Sequence, residues 1–126
     1  NGILFNHESP RRASNFVTTK IIKNAVLISR GELDKLELGN LDSKRDWGHA
    51  KDYVRAMHLI LNHDKPDDFI VSTGETRSIR DLCEIVFQKL GLDYREYVIQ
   101  NQKYMHGLNL WKIILKTEII YQEYLY

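Results

Sequence analysis

Apolar and polar positions alternate in short blocks along this chain, and each block points to one element. Ile3, Leu4 and Phe5 form an apolar run bounded by Gly2 and Asn6, the pattern of a buried strand. Residues 7–14 are polar, include Pro10 and the adjacent Arg11 and Arg12, and read as a loop. From 15 to 30 the apolar residues Phe16, Val17, Ile21, Ile22, Ala25, Val26 and Ile28 recur at helical spacing, and Gly31 supplies a C-terminal stop. Leu36, Glu37 and Leu38 make a brief strand ended by Gly39 and Asn40. Asp46 reads as the N-cap of a second helix, with Ala50, Tyr53, Val54, Met57, Ile60 and Leu61 on one face. A polar turn with Pro66 follows, then the strand Phe69, Ile70, Val71 closed by Thr73 and Gly74. Ser78 with Asp81 three residues on forms a variant of the capping box. Leu82, Ile85, Val86 and Leu90 continue that helix, and Gly91 ends it. Tyr97, Val98 and Ile99 read as a last strand. Strands and helices in alternation predict an α/β protein. Beyond Gln100 the periodicity weakens, with Leu110, Ile113, Ile114, Thr117 and Ile120 fitting a helix loosely.

Composition narrows the partners. Lys plus Arg total 18 and Asp plus Glu 17, a near-neutral balance that does not suggest nucleic acid or an anionic membrane surface. No apolar stretch is long enough to span a membrane, and no signal peptide is visible. The single cysteine, Cys83, cannot close an internal disulfide, so a reducing, cytoplasmic setting is the default. Its place in an apolar helical run reads as a buried small hydrophobe. His49, His58 and His63 lack metal-ligand spacing, and no metal is expected. The chain opens on Asn1 and Gly2 without an initiator Met and runs straight into an apolar segment, as expected of a piece of something longer.

Two loops carry the candidate chemistry. The first, residues 6–12, follows a strand and precedes a helix, and its arginines can grip phosphate through forked, charge-assisted hydrogen bonds. Asn15 and the first helical turn would add an anion site. The second, residues 39–49, combines Gly39, which permits close backbone approach, with Lys44 and Arg45, and with Trp47 as a flat apolar surface. Two basic loops at successive strand ends would clamp a diphosphate. The last tyrosines read as packing residues, with no role assigned. The chain contains no glycine-rich dinucleotide loop and no Tyr followed four residues later by Lys. It therefore does not provide the nicotinamide site and acid/base pair that hydride chemistry on a sugar needs.

The runs ILFNHESPRRASNFVTTKI, LGNLDSKRDWGHAKDYVRAM and DDFIVSTGETRSIRDLCE resemble the signature of GDP-mannose 4,6-dehydratases. The RDW…AKDYVRAM part is shared more widely among extended short-chain dehydrogenase/reductases that act on nucleotide sugars, whereas NHESPRR and GNLDSKRDWGHA are more particular to the GDP-mannose enzymes. The resemblance implies the C-terminal part of a Rossmann-type NAD(P)-binding fold plus a smaller substrate-binding domain, incomplete here. It implies conversion of GDP-mannose to GDP-4-keto-6-deoxymannose with a recycled NADP, in a parent that is a dimer or tetramer. It assigns His7 and Arg12 to NADP, and Asn15, Val17, Lys20, Gly39, Asn40 and Arg45 to the GDP-sugar.

The family's glycine-rich loop, Thr/Glu pair and Tyr-x-x-x-Lys pair belong upstream of Asn1, so the chain alone is expected to be catalytically silent. Ala13 and Ser14 stand where the family usually has Gly and often Glu. From His106 the sequence leaves the family pattern. Residues 1–105 are expected to be the dehydratase portion, and 106–126 a frame-shifted or divergent tail. The alternatives are another nucleotide-sugar epimerase or reductase of the superfamily, or a non-catalytic nucleotide-sugar-binding module.

Overall fold

The structure, a computed structural model, describes residues 1–104. The expected alternation is present: β1 (Gly2–Leu4), β2 (Asn6–Glu8), α1 (Val17–Ser29), β3 (Leu36–Leu38), β4 (Lys44–His49), α2 (Ala50–Leu61), β5 (Phe69–Val71), β6 (Thr76–Ser78), α3 (Ile79–Lys89), α4 (Tyr94–Tyr97) and β7 (Val98–Gln100). The pairs β1–β5, β2–β4 and β3–β7 are all parallel, and β6 adds antiparallel to β4. Parallel neighbours require long crossovers, here supplied by the helices, and an α/β fold follows. The loosely helical stretch from Leu110, the remaining late tyrosines and the tail 106–126 lie outside the described residues.

The core lies where α1 and α3 meet the β3–β7 pair. Ile21, Ala25 and Ile28 from α1, Ile79, Cys83 and Phe87 from α3, and Leu36 and Leu38 from β3 are buried together with Leu41 and Tyr94. Spacings of three and four residues along each helix put these side chains on one stripe. On α3 the buried stripe is Ile79, Cys83 and Phe87; Ile85 and Leu90, read from the sequence as part of that face, are exposed. Full burial pushes the Cys83 thiol up to about 11, so the nucleophilic thiolate is suppressed at neutral pH. Cys83 in the folded chain is therefore expected to react with maleimide at pH 7.5 at least 100-fold more slowly than in urea. A rate within tenfold of the unfolded chain would show that α3 opens readily.

Local chemistry sets the helix ends. Gly31 (φ 71°) and Gly91 (φ 72°) adopt the left-handed conformation just past α1 and α3, as their positions predict. Ser78 Oγ accepts from the Asp81 N–H at 3.0 Å while Asp81 Oδ2 accepts from the Ser78 N–H at 2.8 Å, completing the capping box. That accepted hydrogen bond holds the Asp81 carboxyl below its ordinary range.

Several expectations are corrected. Asp46 does not cap α2: it lies inside β4, and His49 is the cap, its Nδ1 accepting from Lys51 N–H at 3.1 Å. Residues 7–14 are not all loop, because β2 pairs with β4 (Asn6 with Trp47, Glu8 with His49). Tyr97 ends the short helix α4, capped by Asp93, and the last strand starts one residue later. Phe16 and Ile22 are exposed rather than in the core of the first helix, and α2 buries only Tyr53, leaving Val54, Met57 and Leu61 exposed.

Candidate functional site

The two loops singled out from the sequence meet across a cleft of about 210 Å³. Asn6, Glu8 and Arg12 line one side, Gly39, Asn40, Ser43, Arg45 and Trp47 the other, and Phe16 and Val17 at the start of α1 close it with Leu38, Ile79 and Tyr104.

Strand alternation sorts these residues. Successive side chains of a strand point to opposite faces. Asn6 and Glu8 of β2, and Arg45 and Trp47 of β4, face the cleft. The residues between them, His7, Asp46 and Gly48, face the other way, onto Tyr53 and Thr73.

The first loop is tied to α1. Thr18 Oγ1 donates to Glu8 Oε2 at 2.9 Å, and Thr19 Oγ1 to the Arg12 carbonyl at 3.2 Å. The Arg12 guanidinium lies flat over the Phe16 ring, 3.5 Å from its centroid, a cation–π contact. Arg12 Nε is 3.4 Å from Glu8 Oε2, an ion-pair distance without hydrogen-bond alignment, so among the described residues this buried donor has no hydrogen-bond partner. The second loop is held by the N-terminus of α3, where Ile79 N–H donates to the Ser43 carbonyl and Arg80 N–H to that of Leu41. The Arg80 guanidinium adds an ion pair to Asp42 at 2.8 Å. Asn40 Oδ1 accepts from the Asp42 N–H at 2.9 Å, shaping the turn. Gly39 packs so closely against the Tyr104 carbonyl that a Cβ there would collide with it.

The structure thus brings Arg12, Val17, Gly39, Asn40 and Arg45 to one cleft. Arg45 donates through Nη1 to the Lys44 carbonyl at 2.7 Å. Lys20 stands beside the cleft: its Nζ donates to the Glu37 carbonyl at 2.8 Å and lies 5.0 Å from the centre of the Tyr104 ring. Asn15 is exposed and does not line the cleft, and Phe16, which carries no capping side-chain bond, is the N-cap of α1. His7 is on the opposite face of β2, Nδ1 2.9 Å from the Phe5 carbonyl and its ring stacked on Tyr53 at 4.8 Å. Arg11 and Lys44 are exposed and do not line the cleft, so the clamp has two arginines, one from each loop. The sequence reading missed Tyr104, Ile79 and the exposed Phe16; only a contact across the fold identifies them. Among the described residues no group of three or more His, Cys, Asp or Glu is placed to hold a metal ion, and no helix is long and apolar enough to cross a membrane.

The sequence model of the GDP-mannose 4,6 dehydratase family matches residues 1–114. The chain is 58% identical over 91 residues to the GDP-mannose 4,6 dehydratases of Cricetulus griseus and Homo sapiens, covering 72% of this chain and 24% of each relative. It is 51% identical over 104 residues to GDP-mannose 4,6 dehydratase 2 of Arabidopsis thaliana, covering 82% of this chain and 28% of that one. The chain thus spans about a quarter of the length of these relatives. Among solved structures, it superposes on RMD of Pseudomonas aeruginosa, solved with NADPH, with a TM-score of 0.71 and 24% identity over 79% of this chain and 34% of that one. It superposes on a dTDP-glucose 4,6-dehydratase of Bacillus anthracis, solved with NAD, with a TM-score of 0.67 and 18% identity, over 95% of this chain and 39% of that one. The fold is therefore that of nucleotide-sugar short-chain dehydrogenase/reductases, and the chain belongs to the GDP-mannose 4,6-dehydratase family of hydro-lyases.

Proposed function

We propose that this chain is the nucleotide-sugar-gripping portion of a GDP-mannose 4,6-dehydratase, corresponding to the part that follows the glycine-rich loop and catalytic pair. The observation that carries the reading is the cleft itself, where an arginine from each of two loops meets Gly39 and Asn40. Guanidinium groups present several N–H donors in a fixed fork, matched to phosphate oxygens. Arg12 and Arg45 would each neutralise one phosphate of a GDP-sugar or of NADP. Arg12 is pre-oriented by Phe16 and Glu8, and among the described residues its buried Nε lacks a hydrogen-bond partner, so its donor set suits an anionic group. Gly39 lets the Tyr104 backbone close against the wall of the cleft. Val17 and Trp47 supply apolar surface, Lys20 stands beside the cleft, and Asn15 would have to reach a bound group from outside it.

When bound, NADP supplies the acceptor and donor of hydride for the sugar. Arg12 would hold its charge, while His7, which faces away from the cleft and is fixed by the Phe5 carbonyl and the Tyr53 ring, would support β2 rather than touch a group bound there. This chain contributes binding and orientation and no acid/base residue for the sugar. The parent's conversion of GDP-mannose to GDP-4-keto-6-deoxymannose, its cytoplasmic location and its dimeric or tetrameric state belong to the same proposal.

Isothermal titration of the chain with GDP-mannose is expected to give saturable binding, with no 4-keto product formed when NADP is added. Arg45→Ala is expected to weaken the affinity about 10-fold to 100-fold, the value of a charge-assisted contact. Absence of binding at millimolar GDP-mannose, or an unchanged affinity in the variant, would sink the proposal.

A further inference from the structure

The cleft that suits a diphosphate also holds a charge of the wrong sign. Three of its lining residues are charged: Arg12 and Arg45 are positive, and Glu8 is negative. Strand alternation turns Glu8, the last residue of β2, into the cleft. Its side chain is 20% exposed. Thr18, buried in the first turn of α1, donates its hydroxyl to Glu8 Oε2 at 2.9 Å. The same oxygen lies 3.4 Å from Arg12 Nε. Glu8 Oε1 forms no hydrogen bond among the described residues.

A neutral amide could also accept the Thr18 hydroxyl and stand beside Arg12. What glutamate adds is charge, and a negative charge in an anion site lowers affinity unless it serves to exclude something. With Glu8 the lining keeps one net positive charge. An esterified diphosphate, as in a nucleotide sugar, carries one negative charge on each phosphate and takes up both arginines. A free nucleoside diphosphate brings a third, because a terminal phosphate loses its second proton at about pH 6. That charge finds no cation left on the lining and a fixed carboxylate there. Lys20, beside the cleft, is turned to the Glu37 carbonyl and the Tyr104 ring, and Arg11 and Lys44 are exposed away from it. Like charges held close in a partly buried site repel more strongly than in water.

We propose that Glu8 is a specificity-determining residue, which admits an esterified diphosphate to the cleft and rejects a free terminal phosphate. The proposal rests on the reading of the cleft as a diphosphate clamp. It adds which diphosphates are refused and by what means. Free GDP shares the base and both phosphates of a GDP-sugar, and at this end the two differ in charge.

Isothermal titration of the full chain at pH 8, with divalent cations removed by EDTA, compares GDP-mannose, GDP and the β-methyl ester of GDP. The ester has no sugar and lacks the third charge. It is expected to bind at least fivefold tighter than GDP. Glu8→Gln is expected to shift the ratio of the two affinities about tenfold toward GDP, the size of one charge interaction in a partly buried site. Loss of a merely structural contact would loosen Arg12 and weaken all three ligands together, leaving the ratio where it was. An ester that binds no tighter than GDP to the unsubstituted chain overturns the proposal without any variant. So does an unmoved ratio in Glu8→Gln that keeps the circular dichroism of the parent. Absence of saturable binding by all three ligands at millimolar concentration rejects the clamp itself, whereas binding with an unmoved ratio rejects the role of Glu8 alone.

Discussion

Asp46→Ala is expected to destabilise the chain by about 1–3 kcal/mol, the cost of leaving hydrogen-bond donors without their acceptor. Asp46 is 2% exposed, and among the described residues it forms no ion pair. Its carboxylate is compensated entirely by hydrogen-bond donors from the turn after β5. Thr73 N–H donates at 3.0 Å to each oxygen, Thr73 Oγ1 at 2.8 Å to Oδ1, and Gly74 N–H at 2.9 Å to Oδ2. The side chain thereby staples β4 to the β5–β6 turn. Alanine leaves the Thr73 and Gly74 N–H groups without their acceptor at partly buried contacts, while the Thr73 hydroxyl keeps the Glu75 carbonyl at 3.3 Å. Asparagine keeps one acceptor but turns an amide donor toward those donors, so Asp46→Asn should fall between alanine and the parent. Urea unfolding of the three proteins decides it, and a loss below 1 kcal/mol for alanine would show that water replaces the carboxylate.

The second large effect is expected at Gly48. A Cβ on this residue would run into Cε2 of Tyr53 and stand 3.0 Å from Thr73 Cγ2. Overpacking of this kind costs about 1–3 kcal/mol, and here the strained partner is the ring on which His7 stacks. The Tyr53 hydroxyl is buried without a hydrogen-bond partner, and its phenol is pushed up to about 12, first by burial and then by the Asp46 charge. Because the folded value lies above the unfolded one, this stability is fully present below pH 10 and is lost as pH rises from 10 through 12. Gly48→Val should displace the ring, wet the hydroxyl and return the tyrosinate titration toward 10. An absorbance titration at 295 nm that still shows a phenol near 12 in the variant would mean that the backbone moves instead of Tyr53.

Much of this fold is legible in the residues because it is set locally. Gly31, Gly91 and the Ser78–Asp81 box act within a few residues of themselves, and they end or start helices where their chemistry requires. The pairing of two arginine-bearing loops follows from strand ends and charge, and Arg12 and Arg45 do line one cleft. What stayed hidden depends on distant partners. Asp46 sits just before an apolar helical run and reads as its cap, yet Thr73 and Gly74 claim it from 27 and 28 residues away. Phe16 fits the apolar period of α1, but Arg12 covers it instead of the core. Tyr104 reaches the cleft only because its carbonyl meets Gly39. The apolar flank of α2 reads as core, yet Val54, Met57 and Leu61 are exposed.

The six residues of β4 have a consequence for how such a protein can change. Arg45 and Trp47 face the cleft, whereas Asp46 and Gly48 face the interior. Replacing a residue of the first kind alters what is recognised and leaves the scaffold intact, so new preferences can arise one substitution at a time. Inserting or deleting a single residue there exchanges the two sets, sending an arginine inward and an interior carboxylate out into the cleft. Descendants of this sequence can therefore vary more freely in the letters of β4 that face the cleft, but its length is fixed.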